Sequence, residues 1–331
     1  LVSAAADIKG NLIVGGTRPL EQYTLGLVRK LDPGGRELWS RTFAGSSRSG
    51  FVGRLATDRS GNVYFLARLY VGDGYDTLTK LSEDGTFLWS QSGSFEDLAV
   101  DAGGNAYTIA RNDKPQVIKW SAGGARLWAR DITTSCQSAR IGVSLSGLAY
   151  TNCQTSDGGP VVLTQYQTDG TRGFQKSFDG TFLAGVGVSP AGSAFSLRHT
   201  DYRLNRPGDA LTKYNAGGVW QWAQLRLSEE TPRPPVGGYW HPNALALSDA
   251  AKVYVGGGSQ NGDSIWEGVA YLQKRDPDSG DPIWRAVITC PTATLCETNA
   301  VAVGALGKVW AVGTYGSQAD EQGSFVARFA Q

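Results

Sequence analysis

Three features of the sequence predict an all-β chain folded as a seven-bladed propeller: one turn that recurs seven times, an apolar run carrying a ring after most copies, and no helical period. The turn starts at Asp7, Asp58, Asp101, Ser144, Ser189, Ser248 and Gly304, with glycine three residues later in every copy except Ala251. Successive starts are 51, 43, 43, 45, 59 and 56 residues apart. A near-constant core with loops of variable length, at a period of this size and made of short alternating runs, is the signature of propeller blades.

The stretch Leu55 to Trp89 shows the unit. A short apolar run ends in the turn Asp58 to Asn62, where Gly61 and Asn62 reach left-handed backbone cheaply. A second run follows with Tyr64, then a polar loop, a third run to Leu81, a second turn from Ser82 to Gly85, and a fourth run reaching Trp89. The ring after the first turn recurs as Tyr107, Tyr150, Phe195, Tyr254 and Trp310. The second turn fixes the register independently, because its glycine is followed four residues later by a large ring in six copies: Gly35 and Trp39, Gly85 and Trp89, Gly124 and Trp128, Gly170 and Phe174, Gly218 and Trp222, Gly280 and Trp284. The seventh copy has no such pair.

We therefore expect one domain over residues 1–331, with six four-stranded blades, one three-stranded blade and no strand shared to close the ring. The blades fall approximately at 1–43, 51–93, 95–132, 139–178, 183–227, 243–289 and 299–331. Two residues before each first turn stands a small side chain (Ala5, Ala56, Ala99, Gly142, Gly187, Ala246, Ala302), as crowding of innermost strands near an axis demands. The tryptophans belong to the outermost strands, where blades diverge and a large ring spans the gap.

Lys plus Arg number 31 against 30 Asp plus Glu, without a basic block, which argues against a nucleic-acid or anionic-membrane surface. No run approaches the roughly 18 apolar residues of a membrane span. The most apolar segment, Ala300 to Gly313, is two strands. Of the three possible pairings of four cysteines, only Cys136 with Cys153 and Cys290 with Cys296 avoids crossing the ring. Two disulfides indicate an oxidising compartment: secreted, periplasmic or cell-surface. With Leu1 starting inside a strand pattern and no signal peptide, the sequence reads as a mature or trimmed exported monomer.

In an up-and-down blade the first-to-second and third-to-fourth turns share one face of the ring. The long, irregular connections gather on the other face: Gly15 to Thr24, Phe43 to Gly53, Arg68 to Thr77, Arg198 to Ala210, Ser228 to Asn243, Gly256 to Gly268 and Thr314 to Ser324. Variable loops on a regular scaffold are where binding resides. They carry the ring and guanidinium groups that anchor protein or sugar partners: Arg48, Tyr70, Tyr75, Tyr202, Arg203, Tyr239, Trp240, His241, Trp266 and Tyr315. Both histidines, His199 and His241, fall on this face beside blade five, near Asp209, Glu229 and Glu230, and supply the alternative reading of a lyase or hydrolase site. No spacing resembles a metal motif, and Asp276 to Asp281 aligns with a second turn rather than a calcium loop, so no metal or cofactor is expected.

The strings FVARF, LTKLSEDGTFLWSQS, VIKWSAGGARLWARD and LAVDAGGNAYTIA resemble the seven-bladed propeller repeats of secreted and surface proteins of bacteria. That resemblance spans nearly the whole chain and implies fold and export. A looser similarity to pyrroloquinoline-quinone-type propeller repeats, closest at Asp276 to Ala286, lacks the calcium site and eighth blade which such quinoproteins need. With the irregular face as the place for binding, the reading is a non-catalytic exported propeller with a protein or carbohydrate partner on that face.

Overall fold

The computed structural model describes residues 2–44, 50–69, 75–111, 114–132, 136–156, 159–178, 182–199, 210–225, 238–261, 268–290, 295–304, 307–316 and 322–329. All regular elements among these are β-strands, each paired antiparallel to its neighbour. Blade one comprises β1 (Ser3–Ala6), β2 (Leu12–Pro19), β3 (Thr24–Leu31) and β4 (Glu37–Phe43). Blade two comprises β5 (Phe51–Thr57), β6 (Val63–Arg68), β7 (Tyr75–Leu81) and the first part of β8 (Phe87–Val100). The rest of β8 is the innermost strand of blade three, completed by β9 (Ala106–Ala110), β10 (Gln116–Trp120) and β11 (Arg126–Asp131).

Blade four holds β12 (Ser138–Val143), β13 (Ala149–Gln154), β14 (Val161–Tyr166) and β15 (Arg172–Phe178). Blade five holds β16 (Phe182–Val188), β17 (Ala194–His199), β18 (Ala210–Tyr214) and β19 (Trp220–Leu225). Blade six holds β20 (Gly238–Leu247), β21 (Val253–Asn261), β22 (Gly268–Arg275) and β23 (Pro282–Cys290). Blade seven holds β24 (Leu295–Val303), β25 (Val309–Gly316) and β26 (Gln322–Phe329). The first strands β1, β5, β8, β12, β16, β20 and β24 each approach the next, and β24 returns to β1, so the ring closes. Among the described residues β26 pairs only with β25 and β1 only with β2, so closure shares no sheet.

The core is a set of wedges between blades rather than one central mass. Leu66, Leu78, Phe95 and Ile118 fill one wedge, and Phe195, Leu211, Val253 and Val255 fill another. At the closing seam Leu12 and Val14 meet Ala302, Trp310 and Val312, whereas Val301 and Val309 pack with Tyr254 and Leu272 of blade six. The two-residue alternation of a strand sends neighbouring side chains to opposite wedges. Crowding at the axis is real: a Cβ on Gly142 would lie 3.0 Å from Val186 O, and one on Gly187 would lie 2.2 Å from Leu247.

A repeated joint fastens the rim. In four blades a third-strand lysine and a fourth-strand indole N–H donate to one carbonyl in the next blade's second turn. The pairs are Lys30 and Trp39 to Glu83 O (3.2 and 2.9 Å), Lys80 and Trp89 to Ala122 O (both 3.0 Å), Lys119 and Trp128 to Thr168 O (3.2 and 3.1 Å), and Lys213 and Trp222 to Pro277 O (2.6 and 3.2 Å). The ring also covers that turn's left-handed glycine, so a Cβ on Gly85 or Gly170 would meet Trp39 or Trp128 at 2.9 Å. These tryptophans thus tie blade to blade, as their place on the outermost strand predicts.

Several loops expected to be irregular are extended hairpins. The stretch Gly15 to Thr24 is mostly strand, because β2 and β3 stay paired out to Pro19 and Thr24, and only 20–23 form the turn. Likewise β20 begins at Gly238, and β21 runs to Asn261, where Gly258, Ser259 and Gln260 pair with β24. Glycine and threonine in these stretches suggested loops, but backbone pairing asks little of the side chain.

Candidate functional site

The two ends of the ring differ in what their polar groups do. At the tight-turn end the turn-start aspartates Asp7, Asp58 and Asp101 are taken up by their own turns. Asp7 accepts from Lys9 N, Asn11 N, Asn11 Nδ2 and, at 2.8 Å, the buried Lys30 Nζ. Burial alone would push its carboxyl up, but the hydrogen bonds from Lys30 and Asn11 outweigh it and hold the carboxyl below the usual range. Asp58 and Asp101 repeat the pattern with Asn62 and Asn105, and Tyr64 and Tyr107 reach from them to the next turn, Gly104 O at 2.8 Å and Gly147 O at 3.2 Å. The small hollow between these turns, about 110 Å³, is framed by Asp7, Asp58 and Asp101, each held by its own turn, together with Arg59 and Asp249.

At the opposite end the axis opens into a cavity of about 590 Å³. Five first strands carry a β-bulge here, all at the position five residues before the turn start: Gly53, Glu96, Ala184, Asn243 and Asn299. A bulge sharpens the local twist and re-aims the side chains beside it. Around this mouth stand Arg54, Asp97 and Arg140 from adjacent blades, with Glu297 and Asn299 on the far side and apolar Leu183, Ala184 and Ala244 between.

Asp97 ties three blades together. One carboxylate oxygen lies 2.9 Å from Arg54 Nε and the other accepts the Ile141 amide at 2.9 Å. The bulged Glu96 accepts from Ser138 Oγ and Ala139 N (both 3.0 Å) and pairs with Arg111 Nε at 3.2 Å and Arg140 Nη1 at 3.5 Å. The side chains of Arg54 and Arg140 remain 30% and 27% exposed, so both arginines are anchored and still reach solvent. The mouth is a charge-balanced polar rim suited to hydrogen bonding. Among the described residues no group of three metal-ligating side chains occurs.

Of the side chains predicted to bind, Tyr315 on β25 is described, 39% exposed and standing beside Gly323. Arg48, Tyr70, Tyr202, Arg203 and Trp266 lie outside the described residues, as do Asp209, Glu229 and Glu230. Tyr75, Tyr239, Trp240 and His241 are placed by backbone pairing alone, opposite Phe95, Gln260, Ser259 and Gly258. His199 pairs with Phe182 at the end of β17. Next to it, Arg198 is buried against the Phe178 ring at 3.9 Å and donates to Thr212 Oγ1; burial brings its guanidinium down to about 10.

Arg54, Asp97 and Arg140 were not singled out from sequence, although a signal exists. All three stand four residues before a turn start, where the other copies have Ser3, Gly185, Ala244 and Ala300. A charge at a register position that is otherwise small marks a side chain facing the axis.

Both predicted disulfides are present: Cys136 with Cys153 (Cα–Cα 5.6 Å) and Cys290 with Cys296 (6.0 Å). No free cysteine occurs among the described residues. Among the described residues no helix is long and apolar enough to cross a membrane.

The C-terminal WD40 domain of Sif2 superposes with a TM-score of 0.55 at 11% identity, over 99% of this chain and 95% of that one. The fold is a β-propeller. A protein of unknown function from Bacteroides caccae is also similar, with a TM-score of 0.52 at 12% identity over 84% of this chain and 93% of that one. No protein-family model matches the propeller's sequence, and no curated protein does. At these identities the likeness concerns fold alone.

Proposed function

We propose that this propeller is an exported, non-catalytic binding module that engages a protein or glycan partner through its irregular face, centred on the axial mouth. The observation that carries the reading is the asymmetry of the two ends. The turn aspartates Asp7, Asp58 and Asp101 at one end are absorbed by their own turns, while Arg54 and Arg140 at the other are anchored yet partly exposed around a cavity of about 590 Å³. Hairpins of unequal length surround that mouth, as suits one partner seated off-centre rather than seven equivalent ligands. Export is supported by the two disulfides and by the resemblance to repeats of bacterial secreted and surface proteins.

The test is partner capture from the producing cells' envelope and medium, together with a glycan array, using wild type, Tyr315→Ala with Arg140→Gln, and Leu127→Asp on the outer rim. Binding lost in the first variant and retained in Leu127→Asp is the expected result. The reverse pattern would place the partner on the rim and sink this reading. Recovery of the protein only from reducing cytoplasm would remove the export half.

A further inference from the structure

The axial mouth carries opposite charge on its two walls. Arg54 of β5 and Arg140 of β12 line it from blades two and four, on either side of Asp97 of β8. The linked group on this wall sets three cations, Arg54, Arg111 and Arg140, against two carboxylates, Glu96 and Asp97, and so carries a net positive charge. In a ring of seven, the junction of blades six and seven lies across the axis from blade three. There Glu297 and Asn299 of β24 line the cavity, and among the described residues no cation does so on that wall. Apolar Leu183, Ala244 and Leu245 lie between the two.

On each wall one polar side chain is oriented without being used up. Asp97 holds Arg54 through its Nε at 2.9 Å, and the Ile141 amide holds the other oxygen of Asp97 at the same distance. Among the described residues nothing accepts from Arg54 Nη1 or Nη2, and the side chain is part-exposed. Across the axis Asn299 Nδ2 donates to Thr314 Oγ1 at 2.9 Å, and among the described residues nothing donates to Asn299 Oδ1. A guanidinium fork fixed by its inner nitrogen is the geometry that takes a carboxylate by two parallel bonds. An amide oxygen beside a carboxylate takes an ammonium, which has donors only.

We propose that the axial cavity binds a short peptide as a zwitterion, its C-terminal carboxylate on Arg54 and its N-terminal ammonium toward Asn299 and Glu297. Because the ligand sits in the mouth proposed above as the binding surface, its assignment rests on that reading. A cavity of about 590 Å³ is in the size range of small-molecule sites. A free amino acid carries both charges on one carbon and cannot address opposite walls, whereas a short peptide separates them by its length. Small side chains of such a peptide would meet Leu183, Ala244 and Leu245. A doubly charged anion is a poorer occupant, because the cations of this wall exceed its carboxylates by only one. A sugar acid is poorer too: it offers no ammonium, and among the described residues lining the cavity no ring presents a face for stacking.

The probe is trialanine, titrated by calorimetry into the 331-residue protein beside its C-terminal amide, its N-acetyl form, free alanine and glucuronate. Trialanine should bind saturably, and each of the other four at least about tenfold more weakly, since each lacks one charge or the separation of the two. Arg54→Gln should weaken trialanine about tenfold yet leave the residual affinity of the amide unchanged, because only the carboxylate meets Arg54. Should that variant fail to fold, the five ligands on the wild-type protein decide alone. No saturable binding of trialanine overturns the proposal, as does an amide, N-acetyl form, alanine or glucuronate that binds equally well. So does a loss in Arg54→Gln that the amide shares in full. Capture of a large partner reads out separately: captured partner without trialanine binding removes this ligand and leaves the proposed function standing, and trialanine binding with capture lost only in Leu127→Asp does the reverse.

Discussion

The indole of Trp89 lies against the backbone of Gly124 one blade further round, so close that a methyl group on Gly124 would sit 3.0 Å from the ring. Gly124 also needs its positive φ of 89° for the turn. Gly124→Ala therefore carries two penalties, about 1–2 kcal/mol for the left-handed backbone and about 1–3 kcal/mol for displacing the ring. Gly35→Ala, at the same φ in open space, carries only the first. Urea denaturation of the two variants should show the larger loss at Gly124, and equal losses would mean that the indole contact contributes nothing.

Tyr107 places one hydroxyl between Asp101 Oδ2 and Gly147 O of the next blade. Tyr107→Phe should cost about 1 kcal/mol, the loss of one net hydrogen bond. Burial first, and the charge of Asp101 second, push this phenol well above its ordinary value, and Tyr64 is raised likewise beside Asp58. A folded pKa above the unfolded one favours the protonated native state, so this contribution is complete below about pH 10 and declines as pH rises above it. Ultraviolet titration should show these two phenols ionising only as the protein unfolds. Ionisation of all tyrosines near pH 10 with the fold intact would contradict the geometry.

Acid acts through Asp7. Its carboxyl is held below the usual range against buried Lys30, so its contribution is present above the unfolded value near pH 4 and is lost as pH falls through the lower folded value. Asp7→Asn should reduce stability at neutral pH and flatten the acid limb of the stability profile below about pH 4. An unchanged acid limb would show that the pair is not coupled to folding.

The two disulfides should differ in weight. Closing loops of 17 and 6 residues implies about 3 and about 2 kcal/mol in the chain-entropy account. Replacing Cys136 and Cys153 together by alanine should lower the thermal midpoint more than replacing Cys290 and Cys296.

Much of the fold was legible because its constraints are local and repeat. A turn needing left-handed backbone selects Gly61 and Gly85, a crowded axis selects Ala56 and Gly142, and each is visible seven times or nearly so. The hairpin from Gly15 to Thr24 reads as loop in the sequence because pairing is a backbone property, and its glycines and Pro19 are residues that turns also favour. The axial charges were missed for a different reason. A lone Arg54 or Asp97 in a strand looks like a solvent-facing residue until the bulge at Gly53 or Glu96 is known to turn that face toward the axis. Of the loop groups nominated for binding, only Tyr315 has a described side chain.

The rim joint always runs in one sense, with donors on one blade and acceptors on the next, from Lys30 reaching blade two to Arg328 reaching blade one. Such a head-to-tail contact contains no instruction to stop, and repeated between straight bodies it would build a filament. What makes it finite here is taper. Ala56, Ala99, Gly142 and Gly187 let neighbouring blades nearly touch at the axis while indoles hold them apart at the rim, so each contact adds a fixed increment of curvature. The number of blades is therefore set by the difference in side-chain size between two ends of a strand. Enlarging the inner residues, without touching any joint, would open the angle and leave the molecule unable to meet itself.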